Sequence, residues 1–194
     1  MKKKLSDMSL KELWQLFPIE LSNSRSEWQN YYQEIESKLT DWIPKEQCLR
    51  ISHIGSTAIK EIKAKNIVDV LVELSPDAVL QPIADILEEH GYIIMSSSVN
   101  RISLNCGYTP DGFAEKVYHI HLRYIGDNDE LYFRDYLNQF PTTAQDYEQL
   151  KEVLAVKYRN DRNRYTDEKE SFIKKVTAEA KNFYGEKYGY GKKD

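Results

Sequence analysis

Only two cysteines occur in this 194-residue chain, Cys48 and Cys106, and neither belongs to a CxxC pair. No disulfide framework can be read from them, and the expectation is two reduced, mostly buried thiols. Such thiols suit a cytosolic protein. No apolar run approaches the length needed to cross a bilayer. The N-terminus, Met1 to Lys4, is basic, but Leu5-Ser6-Asp7-Met8 is not an apolar signal core. The expected location is therefore the cytoplasm, with no membrane partner. Excess positive charge is missing too: 27 Lys and Arg stand against 31 Asp and Glu, a formal net charge of −4. That balance disfavours a large nucleic acid as partner, although one local basic groove would be compatible with it. Internal repeats and composition breaks that would mark separate domains are also lacking.

What remains is the composition of a globular protein. Hydrophobic residues make up 41% and charged residues 30%, and the length suffices for one domain with a substantial core. Fourteen tyrosines, many of them in the C-terminal third, suit half-buried positions with a wet hydroxyl. They fit helices lining a cleft, or equally a helical dimer face, and the oligomeric state is open.

Periodicity gives an α+β order. Ser9–Leu16 is expected as a short helix with a Ser9/Glu12 capping box, and Ser24–Leu39 as an amphipathic helix. Cys48–His53 alternates as a strand, and Ile67–Val72 is the best central-strand candidate. A helix is expected from Pro76 to about Glu89, strands over Tyr92–Ser96 and Arg101–Cys106, a loop from Gly107 to Gly112, and a strand over Val117–Tyr124. Helices follow near Leu131–Gln139, Thr143–Tyr158 and Asp167–Tyr184. This implies one domain over residues 1–184, with a core sheet at about 47–125, a helical region at about 130–184 and a mobile tail at 185–194.

The chemistry-bearing pattern is His53-Ile54-Gly55-Ser56-Thr57-Ala58 after one strand and Asp69 inside the next. Glycine lets a ligand approach the backbone, and a helix beginning at Ser56 would favour a phosphate. A carboxylate on the neighbouring strand suits Mg²⁺ beside substrate phosphates. The plain alternative is that Ser56 and Thr57 cap a helix and Asp69 binds backbone. A carboxylate inside an apolar strand is costly unless paired or metal-bound, which weighs against that alternative.

These segments resemble the GrpB family, a branch of the nucleotidyltransferase superfamily. The resemblance rests on His53 to Ala58, Ala64-Lys65, Val68 to Val72, His119-Ile120-His121-Leu122, Phe133 to Leu137, and Arg162 through Tyr165 to Lys169 and Phe172. It implies a nucleotidyltransferase-like mixed sheet with N-terminal helices and a C-terminal helical region. It also implies phosphate contacts at Gly55 and Ser56, with His53 and Thr57 in the same turn, and a metal role for Asp69. The second carboxylate of the superfamily would fall at position 71, which is Leu71 here. Glu73 shares the strand face but lies about 13 Å further on. Near Cys106, where relatives often carry a lysine, none is found. The segment after Ala58, often rich in Pro and Gly in the family, reads Ile59-Lys60-Glu61-Ile62 and is expected to be more helical.

His119 and His121 are two apart on one strand and so share a face. Imidazole suits zinc, iron, nickel or manganese better than magnesium. With Asp69 they form a candidate metal set, Asp69 and His121 being the catalytic candidates. Mg²⁺ is the first expectation for the ion, with Mn²⁺ or Zn²⁺ as alternatives. Arg101, Arg134 and Lys169 are candidate anion contacts. Lys151, Arg162 and Tyr165 share their helices, where a solvated surface is the plainer reading. The expected ligand is a nucleotide or another phosphorylated small molecule. Two other readings stay open: a binding module without catalysis, which Leu71 supports, and a histidine-assisted metal-dependent hydrolase or transferase.

Overall fold

The computed structural model describes residues 3–189. Two helices open the described chain, α1 (Leu10–Leu16) and α2 (Glu27–Trp42). The capping box forms as the sequence implies: the Ser9 side chain accepts from the Glu12 backbone N–H while the Glu12 carboxylate accepts from the Ser9 N–H. Helix α2 starts later and runs further than its apolar spacing suggested, to Trp42, whose ring stacks on His90 at 3.8 Å.

Next come β1 (Cys48–Ile54), β2 (Val68–Leu74), α3 (Leu80–Glu89), β3 (Ile93–Ser97), β4 (Arg101–Thr109) and β5 (Gly112–Tyr124). Among the described residues they make one five-stranded sheet in the order β1-β2-β5-β4-β3. The central pair, β2 and β5, is parallel, and the other pairs are antiparallel. Parallel neighbours need a long crossover, here supplied by α3, β3 and β4.

Three expectations change in this half. Helix α3 begins at Leu80 because Ser75 to Ala78 form a turn first, with the Ala78 N–H donating to the Ser75 carbonyl. The expected loop at Gly107–Gly112 is instead mostly strand: β4 and β5 continue into a hairpin with Tyr108 opposite Phe113. Gly107 sits there at φ 93°, and an added Cβ would lie 2.4 Å from the Lys116 carbonyl oxygen, so the irregularity in the ladder depends on glycine. After Gly55 only a three-residue 3₁₀ turn forms, Ser56–Ala58, and Ile59 is extended with Glu61 at φ 60°. The segment after Ala58 is therefore not helical.

The helical region is α4 (Asp129–Gln139), α5 (Pro141–Lys157), α6 (Arg162–Asp167) and α7 (Glu170–Tyr184). The helix expected over Asp167–Tyr184 is present as α7, starting three residues later, and a further short helix, α6, precedes it, capped by the Asp161 side chain on the Arg164 N–H. Of the expected mobile tail, residues 190–194 lie outside the described residues. Tyr188 turns back, its phenol against Asp135 and its ring 5.1 Å from Tyr132.

Strand alternation assigns the faces. Val68, Val70 and Val72 of β2 point to the layer of α2 and α3, where Trp28, Ile35, Leu39, Ile83 and Leu87 are buried with them. Fully burying each large aliphatic side chain there stabilises the fold by about 2 kcal/mol. Asp69, Leu71 and Glu73 point to the opposite face, under α4 to α7. A second apolar cluster, with Phe133, Leu137, Tyr147 and Val176, holds those helices together. The α+β architecture is thus a mixed sheet with one face sealed and the other roofed by helices over its centre.

Candidate functional site

The site starts at the end of β1. Gly55 has φ 71°, a conformation side-chain-bearing residues rarely adopt. It brings the turn directly onto Asp69 of β2. Thr57, buried, donates its hydroxyl to the Ile67 carbonyl at 3.0 Å and so ties the turn to the start of β2. Its one hydroxyl proton is then spent, so at 3.0 Å it accepts from the His53 Nε2–H. His53 stacks on Tyr32 at 4.8 Å, and burial, against the pull of Asp69 and with help from Arg134, pushes its pKa down to about 4.

His119 and His121 arrive from β5 because the parallel register sets Asp69 beside His119 and Leu71 beside His121. His119 Nδ1 lies 3.1 Å and His121 Nε2 3.5 Å from the same oxygen, Asp69 Oδ1. The three donor atoms all fall within 4.8 Å of one another. Burial alone would raise the Asp69 pKa, but the hydrogen bonds from His119 and His121 overcome it and hold the carboxyl far below its usual range. Burial lowers the His119 pKa against the pull of Asp69, which favours the neutral ring.

Each imidazole has an oxygen at its other nitrogen. His119 Nε2 is 2.9 Å from Tyr108 Oη, and His121 Nδ1 is 3.3 Å from Ser103 Oγ. Tyr108 in turn accepts from Arg162 Nη2 at 2.7 Å. Superfamily-type paired carboxylates do not fit here. Leu71 is fully buried against Ile54 and Leu131. Glu73, fully buried as well, is bound to Arg50, Asn128 and the Gly126 N–H.

A cavity of about 590 Å³ opens over this face, with Gly55, Ser56, Asp69 and His119 at its floor. Its walls carry Lys65, Lys151, Arg162 and Lys169. Lys65 and Lys169 flank the buried Tyr165 ring, 5.6 and 4.3 Å from its centroid. Lys151 is 1% exposed and donates to the Lys63 carbonyl. Among the described residues none of these four cations lies within salt-bridge distance of a carboxylate, although the Asp69 charge acts on Lys65 and Lys169; Lys151 is buried and the other three are half-buried. Burial pushes Lys151 down to about 7, Lys169 reinforcing it, and Lys169 down to about 8 against the opposing pull of Asp69. Lys65 is pushed well below its ordinary value by burial and then by Arg162 and Lys169. Helices α4 and α7 add Phe133, Ile173 and Ala178 to the lining, together with the charged Asp129, Glu130, Lys174 and Lys181.

Of the residues singled out from the sequence, the fold gathers Gly55, Ser56, Thr57, Asp69, His119, His121 and Lys169. Three others lie elsewhere. His53 points to the α2 face, because strand alternation puts it opposite Ile54. Arg101 is four residues along β4 from the position facing His119, about 13 Å away, and its guanidinium is bidentate to Asp127 at 2.7 Å. Arg134 is used structurally, donating to the His53 carbonyl at 2.8 Å and paired with Asp135. Tyr147, facing Ser56 with its phenol raised by burial to about 12, was not marked by any sequence signal. Neither were Ser103 and Tyr108, the latter assigned to a loop. Lys65 had a signal, its place in the Ala64-Lys65 motif.

Comparison with known proteins agrees with this architecture. The family model described as GrpB protein matches residues 18–179. The chain is 35% identical over 157 residues to the glutamate-rich protein GrpB of Alkalihalophilus pseudofirmus, covering 78% of this chain and 90% of that protein. It is 38% identical over 134 residues to a UPF0157 protein of Deinococcus radiodurans, covering 68% and 67%. A crystal structure of GrpB from Enterococcus faecalis superposes with a TM-score of 0.74 at 28% identity, over 85% of this chain and 99% of that one.

Proposed function

The chain belongs to the GrpB family, and from that premise we propose that it binds a nucleotide or another phosphorylated small molecule in the cavity above Gly55, Ser56 and Asp69, together with a divalent metal ion. The observation that carries this reading is the set of four basic side chains, Lys65, Lys151, Arg162 and Lys169, lining one cavity with no salt bridge to a carboxylate among the described residues. Holding desolvated cations together costs several kcal/mol, and a polyanion entering the cavity offsets that cost. A structural role explains one such lysine, as with Lys151 on the Lys63 carbonyl. Lys65 and Lys169 lie on the Tyr165 ring and Arg162 on the Tyr108 hydroxyl, so all four have neutral partners and the wall keeps its positive charge.

The division of labour follows from position. Lys65, Lys169 and Arg162 neutralise phosphate oxygens, and the glycine turn lets the ligand approach backbone. Phe133 and Ile173 in the lining offer apolar contact to the uncharged part of the ligand. The resemblance to nucleotidyltransferases makes transfer of a nucleotidyl group the reaction class to assay first. Such chemistry needs mainly positioning and charge neutralisation from the protein.

The test uses inorganic tripolyphosphate as probe in isothermal titration. Lys65→Ala and Lys169→Ala should each weaken binding about tenfold, the worth of one charge-assisted hydrogen bond. They should also flatten its dependence on salt. Unchanged affinity in both variants, with intact folding, would remove the cavity from consideration.

A further inference from the structure

Asp69 stands where a paired-carboxylate magnesium site would begin, but its surroundings are nitrogen. The position of the second carboxylate is the fully buried Leu71, and the next acid on that face, Glu73, is held by Arg50 and Asn128. We infer that Asp69, His119 and His121 form a single, open, three-ligand centre for a borderline transition ion of the zinc, cobalt or manganese type, in place of a magnesium pair. Only the occupant of its open positions rests on the reading of the cavity as a phosphate site.

Geometry supports this first. Two ligands each about 2.1 Å from a tetrahedral ion lie about 3.4 Å apart. The observed separations from Asp69 Oδ1, 3.1 Å to His119 Nδ1 and 3.5 Å to His121 Nε2, bracket that value. The third separation, between the two imidazole nitrogens, is within 4.8 Å, so the three ligand atoms lie close enough together to share one ion.

The outer contacts support it independently. A metal-bound imidazole needs its other nitrogen protonated and its ring held in plane by a partner. Both rings have one: Tyr108 for His119 and Ser103 for His121. A hydroxyl can donate or accept, so these contacts persist whether the facing nitrogen carries a proton or not. Tyr108 is a positioning residue, and its bond from Arg162 joins the metal centre to the cationic wall.

Donor chemistry then selects the ion. Magnesium prefers an octahedral shell of oxygens, whereas imidazole suits zinc, cobalt and manganese. Three protein ligands leave open a position for a water or a phosphate oxygen on the cavity side.

The experiment uses the full chain without a histidine tag, stripped with chelator. Co²⁺ should bind at one equivalent and give visible absorption bands, Zn²⁺ should displace it, and a hundredfold excess of Mg²⁺ should not. His121→Ala and Tyr108→Phe should each weaken Co²⁺ binding by about tenfold to a hundredfold, with unfolding curves measured in parallel. Displacement by Mg²⁺ at comparable concentration, or no stoichiometric Co²⁺ uptake by the unmodified chain, overturns the inference whatever the variants do. Tripolyphosphate binding without Co²⁺ uptake would reject the metal centre alone. Co²⁺ uptake without binding of tripolyphosphate or nucleotides would reject the cavity reading alone.

Discussion

A Cβ added to Gly55 would lie 2.4 Å from Asp69 Oδ2, so the turn and the carboxylate are packed in direct contact. Each sets the position of the other. Gly55→Ala therefore meets two penalties, a positive φ and a clash with a side chain that His119 and His121 already hold. It should destabilise the protein by about 2–4 kcal/mol, read as a lower urea midpoint. A stability within 0.5 kcal/mol of the parent, roughly the scatter of neutral surface changes, would show that the turn can relax away from Asp69.

Leu71→Asp tests whether the second carboxylate was merely lost or is structurally barred. Leu71 is fully buried between Ile54 and Leu131, so a carboxylate there is desolvated without a partner. The variant should lose more than about 3 kcal/mol, seen in denaturant unfolding. It should gain no Mg²⁺ binding by titration calorimetry.

Arg101 and Lys169 should separate cleanly. The Arg101 side chain is 58% exposed and paired with Asp127 away from the cavity, so Arg101→Ala should change stability by less than about 1 kcal/mol and leave ligand affinity unaltered. Lys169→Ala should weaken the ligand. Equal effects of the two substitutions in calorimetry would contradict the placement of the site.

pH dependence follows from the lysines. Lys151 is held near 7 by burial and Lys169 near 8, against about 10.4 for an unfolded lysine. Between those values the unfolded chain binds more protons, so the ligand-free protein gains stability as pH rises from about 7 towards 10; below about 7 that gain is absent. An anion in the cavity favours the protonated amines, so its affinity should move the opposite way. ATP, whose phosphates are ionised above pH 7.5, should bind about tenfold more weakly at pH 9.5 than at 7.5. A flat or rising profile would show that these lysines do not face the ligand.

Much of this site was legible in the sequence, for identifiable reasons. His119 and His121 share a face by the two-residue period of a strand, and β2 and β5 prove to be neighbours, so their meeting with Asp69 followed from local pattern plus one pairing. His53 marks the limit of the same rule: its strand was legible, but which face Ile54 or His53 would take depends on where Gly55 turns. Arg134 and Lys169 both read as helical cations. Only the packing of α4 against β1 assigns one to the His53 carbonyl. The short helix α6 lies in the polar stretch Arg162 to Asp167, without apolar periodicity, so it had no local marker. Tyr108 was hidden because Gly107 and Pro110 suggested a loop, whereas the glycine serves a strand irregularity.

We propose that the cavity over Gly55, Ser56 and Asp69 takes a phosphorylated ligand. The most direct test is a thermal-shift titration of the unmodified protein with the four ribonucleoside triphosphates and with tripolyphosphate, each with Mg²⁺, with Mn²⁺ and without metal. At least one of them should raise the melting temperature in a saturable way, as binding to the folded state alone requires, and added salt should weaken the shift. A folded protein whose melting temperature does not move with any of these ligands, under any of the metal conditions, would contradict the account.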